Sequence, residues 1–381
     1  MDPVLGDEND FVNLCKVAKE NDVKIVLDGV FSHTGSESVY FNKSKFYGEG
    51  GAFNDVNSVY RSWYDFSPNY PCGYRSWWGF ESLPEVNEDD PAFQNFICGE
   101  GGVIEKWLNL GADGFRLDVA DELPDDFIEQ IRKTVKRCGD EKLLIGEVWE
   151  DATNKWSYGA RRTYLLGEGL DSVMNYPFRN AVIQFIKYGD AIGAMDSIFD
   201  ICENYPKPSL DTAMNFLSTH DTERIITTLA GEDAEGRDRY WQSGRLLSDE
   251  KYEVGKQLLR LGFAFMFFLP GNPCVYYGDE IAMEGYKDPF NRGYFNWDET
   301  DDRLINTIRA LSRMREQNPV FKEGRLSIIR AEKDILCLKR SDETGEAVIA
   351  INRTRHNIVL DMLDETVTVT PYSFAIRSAI K

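Results

Sequence analysis

The amino-acid sequence predicts an α/β fold in which about six parallel strands alternate with crossover helices, closed by a small antiparallel β domain. Three observations carry this reading: a repeated helix, turn, strand order, acidic residues at strand ends, and short β-rich runs after Phe321. In residues 10–20, Phe11, Leu14, Cys15, Val17 and Ala18 fall at helical spacing; Asn21-Asp22 breaks it, and residues 23–27 read as a buried strand. The same order returns where a helix at 103–110 leads to a strand at 113–118, and where a helix at 127–138 leads to a strand at 143–147. Further strands are expected at 172–174, 213–218 and 273–276, with a strongly apolar helix at 251–268. The pattern fits an open doubly wound sheet or most of an eight-stranded barrel. Asp28, Asp118, Glu147 and His220-Asp221 lie at or just past strand carboxyl ends, the face where barrel enzymes place their chemistry.

Between His33 and Phe93 the periodicity stops, and Tyr, Trp, Asn, Gly and Pro dominate. A stretch of this length is too long for an ordinary βα loop and reads as an inserted subdomain. The expected organisation is a barrel-type catalytic domain from 1–33 and 93–320, an insert at 34–92, and a C-terminal β domain at 321–381. The last contains β-rich runs at 326–329, 335–339, 347–352, 358–360 and 366–369, separated by turns such as Asp342-Glu343-Thr344-Gly345.

Composition narrows the function. Of 381 residues, 42% are hydrophobic, enough for a sizeable core, and 64 acidic against 43 basic residues give a net charge of −21. Such a surface repels nucleic acid and anionic lipid. The longest apolar stretch, 261–269, is about half a membrane span. Seven cysteines stand singly with no C-x-x-C pair, and the opening residues lack a basic, apolar leader pattern, so a reduced, cytoplasmic setting is expected.

The candidate chemistry lies in carboxylates. Arg116 and Asp118 are two apart on a strand and share a face, so a guanidinium can orient a carboxylate suited to nucleophilic attack. A structural ion pair is the alternative. Glu147 follows an apolar strand and precedes Val148-Trp149; desolvation there favours the protonated form of a general acid. His220-Asp221 ends a strand as a metal pair, a catalytic pair or a turn; with three histidines and no ligand-pair spacing, metal is disfavoured. Two acids and a third carboxylate make the minimum set for opening an acetal bond. Trp77-Trp78 in the insert supplies either a sugar-stacking surface or a small core of its own.

Five blocks resemble, in order, the sequence regions of glycoside hydrolase family 13, the α-amylase family. They are Asp28-Gly29-Val30-Phe31-Ser32-His33, Leu83-Pro84-Glu85-Val86-Asn87, Gly114-Phe115-Arg116-Leu117-Asp118, Gly146-Glu147-Val148-Trp149 and Ser218-Thr219-His220-Asp221. Val86-Asn87 and Asp118-Val119-Ala120-Asp121-Glu122 resemble the neopullulanase and cyclomaltodextrinase branch more than classical α-amylases. The resemblance implies a (β/α)8-type TIM barrel and a retaining hydrolase of α-1,4-linked, and also α-1,6-linked, glucans. Starch, maltooligosaccharides, pullulan and cyclodextrins are the expected substrates. It implies Asp118 as nucleophile, Glu147 as acid/base, Asp221 as transition-state stabiliser, Arg116 orienting Asp118, and His33, His220 and Trp149 contacting the sugar. Transglycosylation and a non-catalytic glucan-binding relic are the competing functions. No cofactor is required on this reading, and a structural calcium is left open because Ser32 stands where the family usually has Asn. Asp121-Glu122 replaces the Lys-His of classical amylases, so the acceptor subsites are expected to differ. The match begins at the family's third barrel strand, so an incomplete barrel of about six strands, from an internal start or incomplete gene, is expected. Exposed sheet edges would then favour a homo-oligomer.

Overall fold

Asp7 opens the first helix, α1 (Glu8–Glu20), by accepting the N–H groups of Asn9 and Asp10, while the Asp10 carboxylate takes the N–H of Asp7. This reciprocal cap fixes where the helix begins. The computed structural model describes residues 2–157, 159–298 and 302–381, in two compact units, Met1–Val173 and Met174–Lys381.

In the first unit, β1 (Val26–Gly29) pairs in parallel with β2 (Gly114–Leu117), β2 with β3 (Leu143–Gly146), and β3 with β4 (Ser172–Val173). Crossover helices include α2 (Pro91–Cys98), α3 (Val103–Asn109) and α4 (Asp125–Arg137), the last burying Phe127, Ile128, Ile131 and Val135 on one face. Gly114 has no substitute, because a Cβ there would overlap the backbone of Leu143 on the neighbouring strand. The expected strand at 23–27 begins later, at Val26. The Ile25 N–H is taken by the Asp113 side chain at 3.0 Å and its carbonyl by the Asp113 N–H at 2.6 Å, a partner distant in sequence that sets the register. The insert is held by isolated bridges, including His33 with Glu85 and Tyr64 with Val86, around a cluster of Phe41, Tyr64, Phe66 and Tyr74 rings.

The second unit holds α5 (Tyr176–Tyr188), α6 (Ala191–Asn204), a short parallel pair β5 (Met214–Asn215) and β6 (Asn272–Pro273), α7 (Asp249–Phe268) and α8 (Asp302–Gln317). The last turns of α7 bury residues on every side, including Leu261, Phe263, Phe265 and Phe268, as a core helix does. The expected strands at 213–218 and 273–276 are shorter than the pattern suggested. Beyond Asn215 the chain leaves the ladder and runs into a turn in which the Thr219 N–H donates to Thr222 Oγ1 at 2.9 Å. Strands β7 (Arg325–Glu332), β8 (Ile335–Ser341), β9 (Gly345–Asn352) and β12 (Ser373–Ile380) form an antiparallel sheet in the order β12-β9-β8-β7, beside the hairpin β10 (Ile358–Met362) and β11 (Glu365–Val369). Cys337, Val348, Ala350, Met362, Val367 and Val369 form its core. Strand β12 was not expected from the sequence. All seven cysteines are unpaired.

Candidate active site

Strand β2 delivers Arg116 to the centre of a carboxylate cluster. Its Nη1 lies 2.7 Å from Asp28 and 2.8 Å from Asp118, and its Nη2 lies 2.6 Å from Glu147. Parallel register places Asp28 opposite Arg116, and Glu147 follows the strand that flanks β2 on its other side, so adjacent strand ends build the cluster. Burial works against the guanidinium's charge, but Glu147 and Asp28 outweigh it and hold its pKa above the ordinary value.

Glu147 is 3% exposed. Burial is the largest influence on it and raises its pKa; Arg116, the Val119 N–H at 3.1 Å and the Trp149 indole N–H at 2.8 Å pull the other way without cancelling the rise. The Val119 N–H reaches Glu147 because Val119 adopts φ 37°, in the left-handed region, where a β-branched residue is strained. The backbone just after Asp118 is thus bent to serve the neighbouring acid.

A second arrangement joins the insert to the same strand end. The Trp77 and Trp78 indole N–H groups donate to the two oxygens of one carboxylate, Glu122, each at 2.6 Å. Trp78 remains 77% exposed, so the pair is a surface and not a small core. His33 lies over Trp77 with ring centroids 5.1 Å apart, and its Nδ1 shares a hydrogen bond of 3.0 Å with Ser32. Burial lowers the His33 pKa more than Asp118 and Glu122 raise it, which favours the neutral ring.

In the second unit, His220 Nε2 lies 3.1 Å from Asp221, and Arg292 Nη2 lies 3.7 Å from the other Asp221 oxygen. The turn is held through its backbone. Buried Asn291 donates to the carbonyls of His220 and Thr222 at 2.7 Å and of Thr219 at 3.3 Å. Below it, fully buried Arg224 donates to the Asn291 carbonyl at 2.8 Å and faces Asp279, whose pKa burial pushes up to about 6.

The model of the alpha-amylase catalytic domain matches residues 1–324. The chain belongs to the alpha-amylase family. It is 32% identical to an amylopullulanase from Thermoanaerobacterium thermosulfurigenes over 93% of this chain and 20% of that protein. It is 28% identical to a cyclomaltodextrinase from Bacillus sp, over 93% of this chain and 58% of the relative. The chain therefore spans about a fifth of the one relative and somewhat over half of the other. Among solved structures, the ligand-free cyclic alpha-maltosyl-(1→6)-maltose hydrolase from Arthrobacter globiformis aligns with a TM-score of 0.82 and 25% identity, over 99% of this chain and 79% of that one.

Within this alpha-amylase family domain, the first unit brings Arg116, Asp118, Glu147 and Trp149 into one hydrogen-bonded cluster and sets His33 against Trp77; the second pairs His220 with Asp221. Reading the residues did not single out Asn291, Arg292 or Glu122's grip on the two indoles. The signal for Glu122 was a carboxylate four residues after Asp118; nothing local marks Asn291. The Ser32 hydroxyl is engaged with His33, and among the described residues no group of three or more His, Cys, Asp and Glu side chains is arranged to hold a metal ion. No helix among the described residues is long and apolar enough to cross a membrane.

Proposed function

We propose that the chain is a retaining glycoside hydrolase acting on α-1,4-linked, and also α-1,6-linked, glucans. The observation that carries this is the single guanidinium that binds Asp118 and Glu147 at once. Two carboxyl groups on one Arg fork lie close together, in keeping with the short spacing of retaining glycosidases. Asp118, oriented by Arg116, attacks the anomeric carbon as the leaving oxygen departs with a proton from Glu147, whose proton affinity burial raises; Glu147 then takes a proton from the water that displaces Asp118. Asp221 is the third carboxylate, stabilising positive charge on the sugar ring, with His220 and neutral His33 binding hydroxyls and Trp149 lying against the ring.

The exposed Trp78, fixed by Glu122, favours a second reading in which a sugar stacked there competes with water as acceptor. Transglycosylation products at high maltose are then expected to decline in Trp78→Ala while hydrolysis persists.

Association into a homo-oligomer belongs to the same proposal; Val12, Leu14, Val17 and Val26 are exposed apolar side chains that support it, and sedimentation velocity tests it. The central test is reducing-sugar release from soluble starch, pullulan and cyclodextrins. Turnover by the chain and its loss in Asp118→Asn are expected; glucan binding without turnover would leave a non-catalytic binding protein.

A further inference from the structure

The second unit contains a cleft of about 780 Å³ that none of the residues assigned above lines. Arg260 from α7, Arg303 and Asn306 from one face of α8, and Phe374, Ile376 and Ser378 from alternate positions of β12 wall it. The volume lies within the roughly 300–1,000 Å³ typical of small-molecule sites.

Arg260 sets this cleft apart. Among the described residues nothing accepts a hydrogen bond from its guanidinium, and its Nε is fully enclosed without a partner. Other sequestered arginines of the same unit behave differently. Arg315 donates to the carbonyls of Phe267 and Gly271 at 2.7 Å, and Arg340 donates to that of Gly324 at 2.7 Å. The enclosed Nε is out of reach from the cleft, so an occupant would meet Arg260 through its terminal Nη groups. The occupant should be anionic. The chain has 64 acidic residues against 43 basic ones, yet no carboxylate lines this cleft among the described residues. A guanidinium fork matches tetrahedral oxyanions in two-point geometry. The Asn306 amide and Ser378 hydroxyl offer further donors, and Phe374 with Ile376 offers an apolar wall for the body of a molecule larger than the anion.

We propose that this cleft binds a small organic phosphate, its phosphate on Arg260 and its carbon skeleton against Phe374 and Ile376. Titration calorimetry of the full chain at fixed ionic strength tests this with glucose 6-phosphate, inorganic phosphate and maltose as probes. Glucose 6-phosphate should bind, more tightly than inorganic phosphate, and roughly tenfold or more weakly to Arg260→Gln, while maltose affinity is the same in both proteins. Asn306→Asp, at an exposed helical position, puts a repelling carboxylate into the cleft and should weaken the sugar phosphate without disturbing the fold. Absence of binding by both phosphates, or undiminished binding in both variants, overturns the proposal. The measurement needs no turnover, so it stands or falls separately from glucan hydrolysis.

Discussion

The Arg116 cluster and the Asp221 turn hold the carboxylates proposed for catalysis by opposite means. Around Arg116, charge meets charge directly: one guanidinium contacts three acids, and burial sets the proton affinity of Glu147. At Asp221 the carboxylate is half-buried, and control passes through the backbone, which Asn291 pins from beneath while Arg224 pins Asn291. The first arrangement tunes chemistry, and the second fixes position. Substitutions should therefore alter proton affinity and turnover in the first region, but geometry and stability in the second.

The largest expected effect is on turnover. Asp118→Asn and Glu147→Gln keep shape and remove charge or acidity, and each should lower kcat on starch by about 10⁴-fold or more, because groups acting as a unit fail together. The double variant should be little worse than either single one. Additive losses would show that the two carboxyls do not share one reaction. Next comes Asn291→Ala. It removes the donor to three turn carbonyls and should cost about 2–4 kcal/mol in denaturant unfolding, with a fall in kcat. An Asn291→Ala protein of full activity and unchanged midpoint would mean that the turn holds itself.

The two regions also differ in how far local sequence reveals them. Helical spacing announced α1, α4 and α7, and the period of two put Arg116 and Asp118 on one side; the 2.8 Å contact agrees with that reading. The apolar strand before Glu147 likewise pointed to its burial. Partners remote along the chain were harder to see. The start of β1 depends on Asp113, the two tryptophans depend on Glu122, and the Asp221 turn depends on Asn291. Strand β12 was missed because it is a sheet edge whose half-exposed residues lack the apolar alternation of a buried strand.

A smaller effect separates burial from pairing. Glu88 in the insert is buried, and desolvation pushes its pKa from 4.5 up to about 8. Below pH 4.5 both folded and unfolded forms hold the proton and there is no penalty; between pH 4.5 and 8 the unfolded chain ionises first, so stability falls as pH rises. Glu88→Gln removes this dependence. It should be more stable than the parent at alkaline pH by about 1–3 kcal/mol and close to it in acid, read from urea midpoints. An equal difference at both pH values would show that Glu88 does not titrate in this way.

The smallest expected change bears most directly on the acid. The Trp149 N–H donates to Glu147 at 2.8 Å and favours its ionised form. Glu147 must be protonated to act as the acid, so kcat/KM should decline as pH rises through its raised pKa. Trp149→Phe withdraws that donor, raises the pKa further, and should move the alkaline limb to higher pH. Because Trp149 is 43% exposed, solvent screens the bond and keeps the shift modest. Lost sugar contact lowers the whole profile without moving its midpoint, so the limb's position separates proton tuning from substrate binding. A limb that stayed in place or moved toward acid would assign the alkaline titration to some other group, and the first region would then resemble the second, organised for position alone.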